Sequence, residues 1–518
     1  MSTQEAATDA DELETASDKR SIILVFAGLM ITMLLASLDQ MIFSTALPTI
    51  VGELHGVNHM VWITTAYILA STIMMPVYGK LGDLIGRKGL FIGAICIFIV
   101  GSIIGGLSHN MTTLIAGRAV QGLGGGGLIL LAQAIIADVV PARQRGRYMG
   151  AMGGVFAIAA VAGPLLGGWF TEGIGWRWAF WINVPLGLLA IASAMAFLHL
   201  PKPKLGKPSI DYPGMILVAT SATCLILFTT WGGNTYAWGS AVIVGLVIGC
   251  IVSAIAFVFV ERRATEPVIP MHLFSERNFV LTTVAGLVIG IAMFGALAYL
   301  PTYIQMVTGK NATEAGLMMI PMMAGMLVAS TGSGQIISKT GRYKMFPILG
   351  TSIVAVALVL LSRLTPSTPL IVFGIYITIL GVGIGLVMQI LILIVQNTFP
   401  AAEVGTATAS NNFFRQIGAS LGSALVGSLF ASRLTNILTE RLPAAGGAVG
   451  NDENSLTPAI LWKLPAPIRE TIVGAYNDAL APIFMYIVPL VIVAVILLTF
   501  IKEKPLATTI DRSAPPLE

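Results

Sequence analysis

Charged residues are scarce in this chain: Asp, Glu, Lys and Arg make up 10% of its 518 residues, whereas a soluble domain carries about 25%. Apolar residues make up 56% of the chain. A chain with so few charges cannot cover its apolar surface in water, which excludes a soluble enzyme, a fibre and a disordered chain. At about 20 residues for each spanning helix, the apolar residues suffice for about fourteen membrane spans.

Cysteine and histidine are rare as well. Cys96, Cys224 and Cys250 lie inside apolar runs, and the five histidines are scattered without metal-site spacing, which argues against disulfide and zinc frameworks. The net charge of +4 is too small to indicate a nucleic-acid partner. The glycine run 122–127 is followed by Leu128 and does not match a phosphate-binding loop, so the sequence predicts no ATP site.

Long apolar runs, bounded by charges or by Pro and Gly clusters, predict fourteen membrane-spanning helices. Helices are favoured because every backbone polar group inside a bilayer needs a partner, and because a β-barrel requires short alternating segments. The first run is too long for a signal peptide and is expected to be retained as a span. The predicted spans are 22–47, 61–79, 89–107, 112–137, 147–170, 178–199, 213–231, 239–260, 279–305, 314–337, 346–362, 369–397, 404–431 and 480–501.

Basic residues alternate along these spans. Most of the Lys and Arg residues follow even-numbered spans, as in the group Arg143, Arg145 and Arg147. The positive-inside rule therefore predicts that these loops and both termini are cytoplasmic.

The predicted organisation is two six-helix bundles with two extra helices between them. The intervals Gly79–Lys88 and Gly334–Lys344 echo each other, since each has a Gly, a second Gly seven positions later and then an Arg, as expected of duplicated halves. The predicted segments are a disordered acidic cytoplasmic tail (1–21), an N-terminal bundle (22–199), a basic cytoplasmic linker (200–212), two extra helices (213–260), a cytoplasmic linker (261–278), a C-terminal bundle (279–501) with a long extracellular loop (432–479), and a cytoplasmic tail (502–518).

Five motifs, each on the expected helix, resemble those of the major facilitator superfamily (MFS). The run Gly79-Lys-Leu-Gly-Asp-Leu-Ile-Gly-Arg-Lys88 is similar to its cytoplasmic signature, and Leu114-x-x-x-Arg118-x-x-Gln121-Gly122-x-Gly124 to its fourth-helix motif. Gly163-Pro164-x-x-Gly167-Gly168 resembles the antiporter motif, and Leu38-Asp39 with Ala46-Leu47-Pro48 the first-helix motif of drug exporters. Together with fourteen spans, the run Trp176 to Gly187 resembles the fourteen-helix drug:proton antiporter family.

This resemblance implies an all-α integral membrane protein with the MFS fold, and it implies roles for the motif residues. In the family, the first motif latches the cytoplasmic side, and the antiporter motif gates the exchange of substrate for protons. The resemblance also implies a monomer. The implied latch residues are Gly79, Asp83, Gly86, Arg87 and Lys88, and the implied gating residues are Gly163, Pro164, Gly167 and Gly168.

Two charges inside apolar spans are the candidate coupling residues. Arg118 lies inside the span 112–137, where a cation requires a partner or access to water, and Asp39 is the one carboxylate well inside any span. A lone acid in a medium of low dielectric constant has a raised affinity for protons. The resemblance implies that Asp39 is the proton site and that Arg118 tunes it. A structural ion pair, or an Asp39 that faces a wet vestibule, is the alternative interpretation.

Polar and aromatic side chains on apolar helices are candidates for a substrate cavity, because they are costly to expose to lipid. Packing inside a bundle and, for the aromatic residues, anchoring at the membrane interface are the alternatives. The candidates are Asn411, Asn412, Gln389, Tyr299, Tyr303, Met322 and Trp62.

The function predicted from these observations is proton-coupled export of amphipathic small molecules, such as drugs, antiseptics and dyes, across the plasma membrane. Export of an endogenous lipid or metabolite is one alternative, and a membrane receptor or scaffold that transports nothing is another. An enzyme is disfavoured because no nucleophile and base pair or metal cluster stands out. The proton gradient is the expected energy source, without a cofactor or ATP, and the expected partners are the small-molecule substrate, protons and membrane lipids.

Overall fold

A computed structural model describes residues 3–54, 59–200, 209–233, 235–441 and 458–508. Within these ranges the chain is overwhelmingly helical, and each of the fourteen predicted spans overlaps at least one helix. Thirteen helical spans are long and apolar enough to cross a membrane, and the remaining helix, Met345–Leu361, is apolar but has 17 residues. The prediction of an all-α membrane protein is confirmed.

The helices are numbered by the span that they form. The N-terminal half contains α1 (Thr3–Glu53), α2 (Met60–Ile85), α3 (Arg87–Gly106), α4 (Met111–Val139), α5 (Ala142–Trp169) and α6 (Asn183–Phe197), and the two extra helices are α7 (Tyr212–Trp231) and α8 (Ala241–Glu261). The C-terminal half contains α9 (Arg277–Leu297), α10 (Ile320–Thr340), α11 (Met345–Leu361), α12 (Leu370–Gln396), α13 (Val404–Arg441) and α14 (Ala466–Thr499).

Three predicted spans are interrupted in the structure. Span nine continues after α9 as a second helix, Leu300–Thr308, and span ten begins with Ala312–Met318 before α10. Pro301 and Pro321 stand in the first turns of the helices that follow these breaks, where the missing N–H group is tolerated but cannot continue the preceding helix. Span six begins with the single turn Trp178–Trp181.

Each half has its own apolar core. One large cluster joins α9 to α14 around residues such as Ile289 and Val387, and two others fill the N-terminal half around residues such as Phe98 and Phe180. Helix α7 packs against both α2 and α13, and α8 packs on α7. The extra pair is therefore attached beside the junction of the two halves.

The N-terminal tail differs from its prediction. Residues 1–21 were expected to be disordered, but α1 begins at Thr3 and continues into the first span without a break, while residues 1–2 lie outside the described ranges. Alanine and glutamate are strong helix formers, and acidic residues near a helix N-terminus interact favourably with the helix dipole. Helix propensity therefore outweighs the low hydrophobicity of the segment, which on its own favours disorder.

The long loop is also shorter than predicted. Within 432–479, α13 extends to Arg441, α14 begins at Ala466, and Pro458–Leu461 forms one further turn; residues 442–457 lie outside the described part. The Arg441 guanidinium pairs with the Asp478 carboxylate at 2.6 Å, so the two helices remain in contact beyond the ends of their apolar runs. In the same way, 201–208 of the predicted linker and 509–518 of the C-terminal tail are not described.

Candidate functional site

A network of polar side chains is buried inside the N-terminal half around Asp39. Arg118 Nη1 lies 2.6 Å from Asp39 Oδ2. Gln121 Nε2 donates to Asp39 Oδ1 at 2.7 Å, and Asn183 Nδ2 donates to the same oxygen at 2.9 Å. Ser102 Oγ accepts from both amides at 2.8 and 3.2 Å. Both carboxylate oxygens therefore have partners, although the Asp39 side chain is completely buried.

Four helices bring this network together. Asp39 comes from α1, Ser102 from α3, Arg118 and Gln121 from α4, and Asn183 from the first residue of α6. The Arg118 guanidinium also lies over two aromatic rings, 4.2 Å from the centroid of Phe43 and 4.4 Å from that of Tyr67. These contacts compensate a cation that would be costly alone at this depth.

The run Trp176 to Gly187 contributes structural contacts as well as Asn183. Trp176 Nε1 and Arg177 Nη1 both donate to the Glu53 carboxylate at 2.8 Å. Glu53 lies beyond the apolar segment Ile22–Phe43, and the hydrogen bond from Arg177 holds the pKa of its carboxyl below the usual range. The motif thus fastens the end of α1 to the start of span six.

The latch motif joins the two halves at one end of the bundle, which we call the latch end. Asp83, near the end of α2, accepts hydrogen bonds from Gly405 N at 3.1 Å and from Thr406 N and Thr406 Oγ1, both at 2.7 Å. Gly405 and Thr406 stand in the first turn of α13. A carboxylate in this position interacts favourably with the free N–H groups and the positive dipole end of the helix.

Arg87 completes the latch. It pairs with Asp83 at 2.6 Å and with Asp138 of α4, and it donates to Ala401 O at 3.2 Å in the opposite half. Gly86 has a φ of 96°, a conformation that favours glycine, and ends α2 so that α3 can begin immediately. A Cβ at Gly79 would lie 2.9 Å from Gly405 O, so α2 and α13 are in close contact.

Lys88 forms its hydrogen bond within the N-terminal half rather than across the latch, as far as the described residues show. Its Nζ donates to Met195 O at 3.3 Å, within the N-terminal half. The structure therefore brings Gly79, Asp83, Gly86 and Arg87 to the latch and places Lys88 beside it.

Further contacts close the latch end between α5 and α10. Ser330 Oγ donates to Gly150 O at 3.2 Å, and a Cβ at Gly146 would lie 3.1 Å from Gly334 O. The C-terminal segment crosses the same end: Ala507 O accepts from Arg143 N at 3.0 Å. Tyr343 Oη, whose pKa is raised by burial, donates to Lys504 O at 3.1 Å.

The gating motif packs α5 against α1 at the level of Asp39. A Cβ at Gly163 would overlap the Met41 side chain, and one at Gly167 would lie 2.9 Å from Ile42 O. Pro164 stands inside α5 and contacts the position of Gly316 across the junction of the halves. Gly168 lies on a more open face, where the nearest atom to a Cβ is Thr313 Oγ1 at 3.9 Å.

We expect Gly163→Ala to lower the free energy of unfolding by about 1–3 kcal/mol, because the added methyl group must displace Met41 and separate α1 from α5. Thermal unfolding in detergent would measure the change. Gly168→Ala is the matched control, since its methyl group has room. Equal stability of the two variants would contradict the close packing of Gly163.

A cavity of about 1220 Å³ lies between the halves. Its closed end, towards the latch, lies near Gln133 of α4 and Asn412 of α13, whose side chains are joined by a hydrogen bond of 2.8 Å. It extends to Val61 at the start of α2 and Ser432 on the last turns of α13. The cavity is thus closed at the latch end and extends towards the opposite end.

Three of the seven predicted cavity residues line it: Asn412, Gln389 and Tyr299. The others are engaged elsewhere. Asn411 Nδ2 donates to Thr283 Oγ1 at 3.2 Å, and Tyr303 Oη donates to Asn477 Oδ1 at 2.7 Å.

The remaining two predicted cavity residues also have packing contacts. Met322 is buried in the core of the C-terminal half, and Trp62 packs edge to face on Trp231 of α7 with centroids 5.6 Å apart. Packing inside the protein, the alternative interpretation, therefore applies to four of the predicted cavity residues: Met322, Trp62, Asn411 and Tyr303.

A family model described as Major Facilitator Superfamily matches residues 29–423. The chain belongs to the major facilitator superfamily. It is a multi-pass membrane transporter and not an enzyme, and its partners include a small-molecule substrate and membrane lipids.

Relatives of this MFS chain include proteins named for multidrug transport or multidrug resistance. It is 44% identical to the uncharacterised MFS-type transporter Rv1877 of Mycobacterium tuberculosis over 94% of the chain and 70% of that protein. It is 37% identical to the multidrug transporter protein MdtP of Bacillus subtilis over 83% of the chain and 79% of that protein. With multidrug resistance protein 3 of Bacillus subtilis it shares 32% identity over 96% of the chain and 98% of the relative.

A solved structure supports the MFS fold. The chain matches the human organic anion transporter MFSD10 (TETRAN) with a TM-score of 0.62, covering 93% of this chain and 99% of that one at 14% identity. The predicted superfamily and fold are confirmed.

Sequence reasoning on this MFS chain left two residues of the site without a role, Gln133 and Asn183. Gln133 and Tyr67 line the cavity, as do Arg415 and Gln416 of α13. Tyr67, Arg415 and Gln416 show the same signal as the predicted cavity residues, an aromatic or polar side chain on an apolar helix. Asn183 lay inside a recognised motif without an assigned role, and its amide on an apolar helix was the available signal.

Proposed function

We propose that this chain is a proton-coupled antiporter that exports amphipathic small molecules, such as drugs, antiseptics and dyes, across the plasma membrane by alternating access. The observation that carries the proposal is the Asp39–Arg118 pair, a charge pair buried beside a large cavity between two halves. Multidrug transporters among the relatives support drug export. The energy source is the proton gradient, without ATP or a cofactor, and the working unit is a monomer.

The distribution of basic residues supports an orientation with the latch end and both termini in the cytoplasm. In this orientation, the cavity described above faces outward. The latch then holds the outward-facing state by joining the start of α13 to the end of α2.

Proton binding at Asp39 couples the gradient to the rearrangement. Ser37, Gln40 and Tyr67 line the cavity next to Asp39, and they form the route by which a proton from the outer side reaches the carboxylate. A protonated Asp39 no longer compensates the charge of Arg118, so the contacts between α1 and α4 change and the balance between the two states shifts. The proton is released when the cavity opens to the cytoplasm and substrate enters.

Transport in liposomes tests this proposal. We would reconstitute the full chain, impose a proton gradient, and follow a panel of cationic, neutral and anionic dyes together with the pH inside. The expected result is uphill movement of a dye against a matched flux of protons, abolished by a protonophore and unaffected by ATP. If only a lipid or cellular metabolite moves, export of an endogenous compound replaces drug export; binding without any gradient-dependent movement would replace transport with a receptor function.

A further inference from the structure

The charge of the cavity wall is unbalanced. Of the described residues that line the cavity, Arg415 is the one charged side chain, and neither Asp nor Glu contributes to the lining. Arg415 lies eleven residues after Val404, the start of α13, which places it about 16 Å along the helix at 1.5 Å per residue. The cation therefore stands deep between the halves.

Arg415 differs from Arg118 and Arg87, because both of these arginines are paired with carboxylates. Arg118 pairs with Asp39, and Arg87 pairs with Asp83 and Asp138. Arg415 forms no ion pair and no side-chain hydrogen bond with the part of the chain that the structure describes. An unpaired cation at such depth is costly, and a bound anion would compensate it.

The rest of the cavity lining can bind the other parts of an amphiphile. Amide side chains of Gln133, Gln389 and Gln416 line the same cavity, and Met326, Met388 and Phe294 supply apolar wall. Gln389 Oε1 and Asn412 Oδ1 are buried without hydrogen-bond partners among the described residues. The cavity lining thus offers a charged anchor, acceptors for a donor group, and adaptable apolar surface.

We propose that Arg415 is a substrate-binding residue that selects amphiphiles carrying a single anionic group, such as a carboxylate, phosphate or sulfonate. The guanidinium presents paired N–H donors that match these groups. This inference deepens the proposed function, because it rests on the cavity being the transport site. It also predicts discrimination against quaternary ammonium compounds, since the described lining offers no carboxylate to a cation.

A matched ligand series tests the selectivity. Three dansyl amides of equal length, ending in a carboxylate, a hydroxyl and a trimethylammonium group, would be bound to the purified full chain in neutral detergent at constant pH. Energy transfer from tryptophan to dansyl gives the signal, and Trp238 lies in the cavity wall. We expect the carboxylate to bind about tenfold to a hundredfold more tightly than the hydroxyl compound, and the ammonium compound to bind most weakly.

Two substitutions at Arg415 and one control test whether this residue causes the preference for the carboxylate. Arg415→Gln should bring the affinity for the carboxylate to within about threefold of that for the hydroxyl compound, whereas Arg415→Lys should retain part of the preference. Arg363→Gln removes an exposed cation between α11 and α12 and should behave as the unsubstituted chain. Thermal unfolding would verify that each variant is folded.

Some outcomes would overturn the inference. Tighter binding of the ammonium compound by the unsubstituted chain would do so even if Arg415→Gln fails to fold, and so would an unchanged carboxylate affinity in a folded Arg415→Gln variant. Displacement of the bound carboxylate by phosphatidylglycerol would support the anion site and identify a lipid headgroup as a source of the anion.

Failure of the inference is distinguishable from failure of the proposed function. Binding needs no gradient, so anion selectivity in detergent without proton-driven transport in liposomes would leave the anion site standing and remove the antiporter. Proton-driven transport of cationic dyes without anion selectivity would support the antiporter and remove the anion site.

Discussion

Replacing Asp39 with Asn should lower gradient-driven accumulation of substrate by at least about a hundredfold, as expected when a group required for proton transfer is removed. Exchange of labelled for unlabelled substrate at equal pH should continue, because Asp39 does not line the cavity. Liposomes loaded with substrate would measure both activities in one preparation. The ratio of the two distinguishes a defect in coupling from a defect in binding.

The same substitution has a structural consequence that needs its own control. An Asn whose oxygen accepts from Gln121 and Asn183 turns its amide towards Arg118, which then lacks a counter-charge. A cation left unpaired in this way is strongly destabilising, by about 3–5 kcal/mol. We therefore expect the double variant Asp39→Asn, Arg118→Gln to recover thermal stability and still to lack accumulation.

Asp478→Asn provides a matched carboxylate-to-amide control, since Asp478 belongs to an exposed ion pair with Arg441. It should retain full accumulation. Proton-driven accumulation that persists in a folded Asp39→Asn variant would show that the coupling proton binds elsewhere.

Asp83→Ala should shift the protein towards the state that is open at the latch end. The substitution removes the three hydrogen bonds that Asp83 accepts from Gly405 and Thr406 across the two halves. Charge-assisted hydrogen bonds of this kind are worth about 1.5–3 kcal/mol each and are not additive. A net loss of about 2 kcal/mol would change the ratio of the two states about thirtyfold.

Two spin labels at the latch end, one on each half, would measure this shift. Gln144 of α5 and Thr340 of α10 are exposed and can be replaced by labelled cysteines after Cys96, Cys224 and Cys250 are removed. Asp83→Ala should increase the population with a long distance between the labels. Glu276→Ala, which removes an exposed partner of Lys504 within the C-terminal half, should leave the distances unchanged. An identical distance distribution in both variants would contradict a latch at Asp83.

Some parts of the site follow from the energetic cost of placing a charge inside an apolar span, and these parts were predictable from the sequence. A carboxylate and a guanidinium inside apolar spans require partners, and Asp39 and Arg118 are indeed in contact. The apolar runs located helix α1 to helix α14, because the thickness of the bilayer sets the length of an apolar span. The roles of these residues in proton coupling remain a prediction.

Contacts between distant parts of the chain were not predictable in this way. The sequence marks Asp83 as a latch residue but does not show that it caps α13, more than three hundred positions later. Periodicity also cannot tell which polar face turns to the cavity. Asn411 and Asn412 are adjacent in sequence, yet one bonds to Thr283 inside the C-terminal half and the other lines the cavity.

The two extra helices have a consequence for how substrate selectivity can evolve. Ile226 and Thr229 of α7, together with Trp238, form part of the cavity wall, while Val218 and Ala222 of α7 pack near Phe413 of α13. This wall lies outside both duplicated halves, which contain the buried charge pair and the latch. Mutations on its cavity face can therefore change the shape of the pocket, and with it the substrate selectivity, while the residues proposed to couple the proton gradient to transport stay the same.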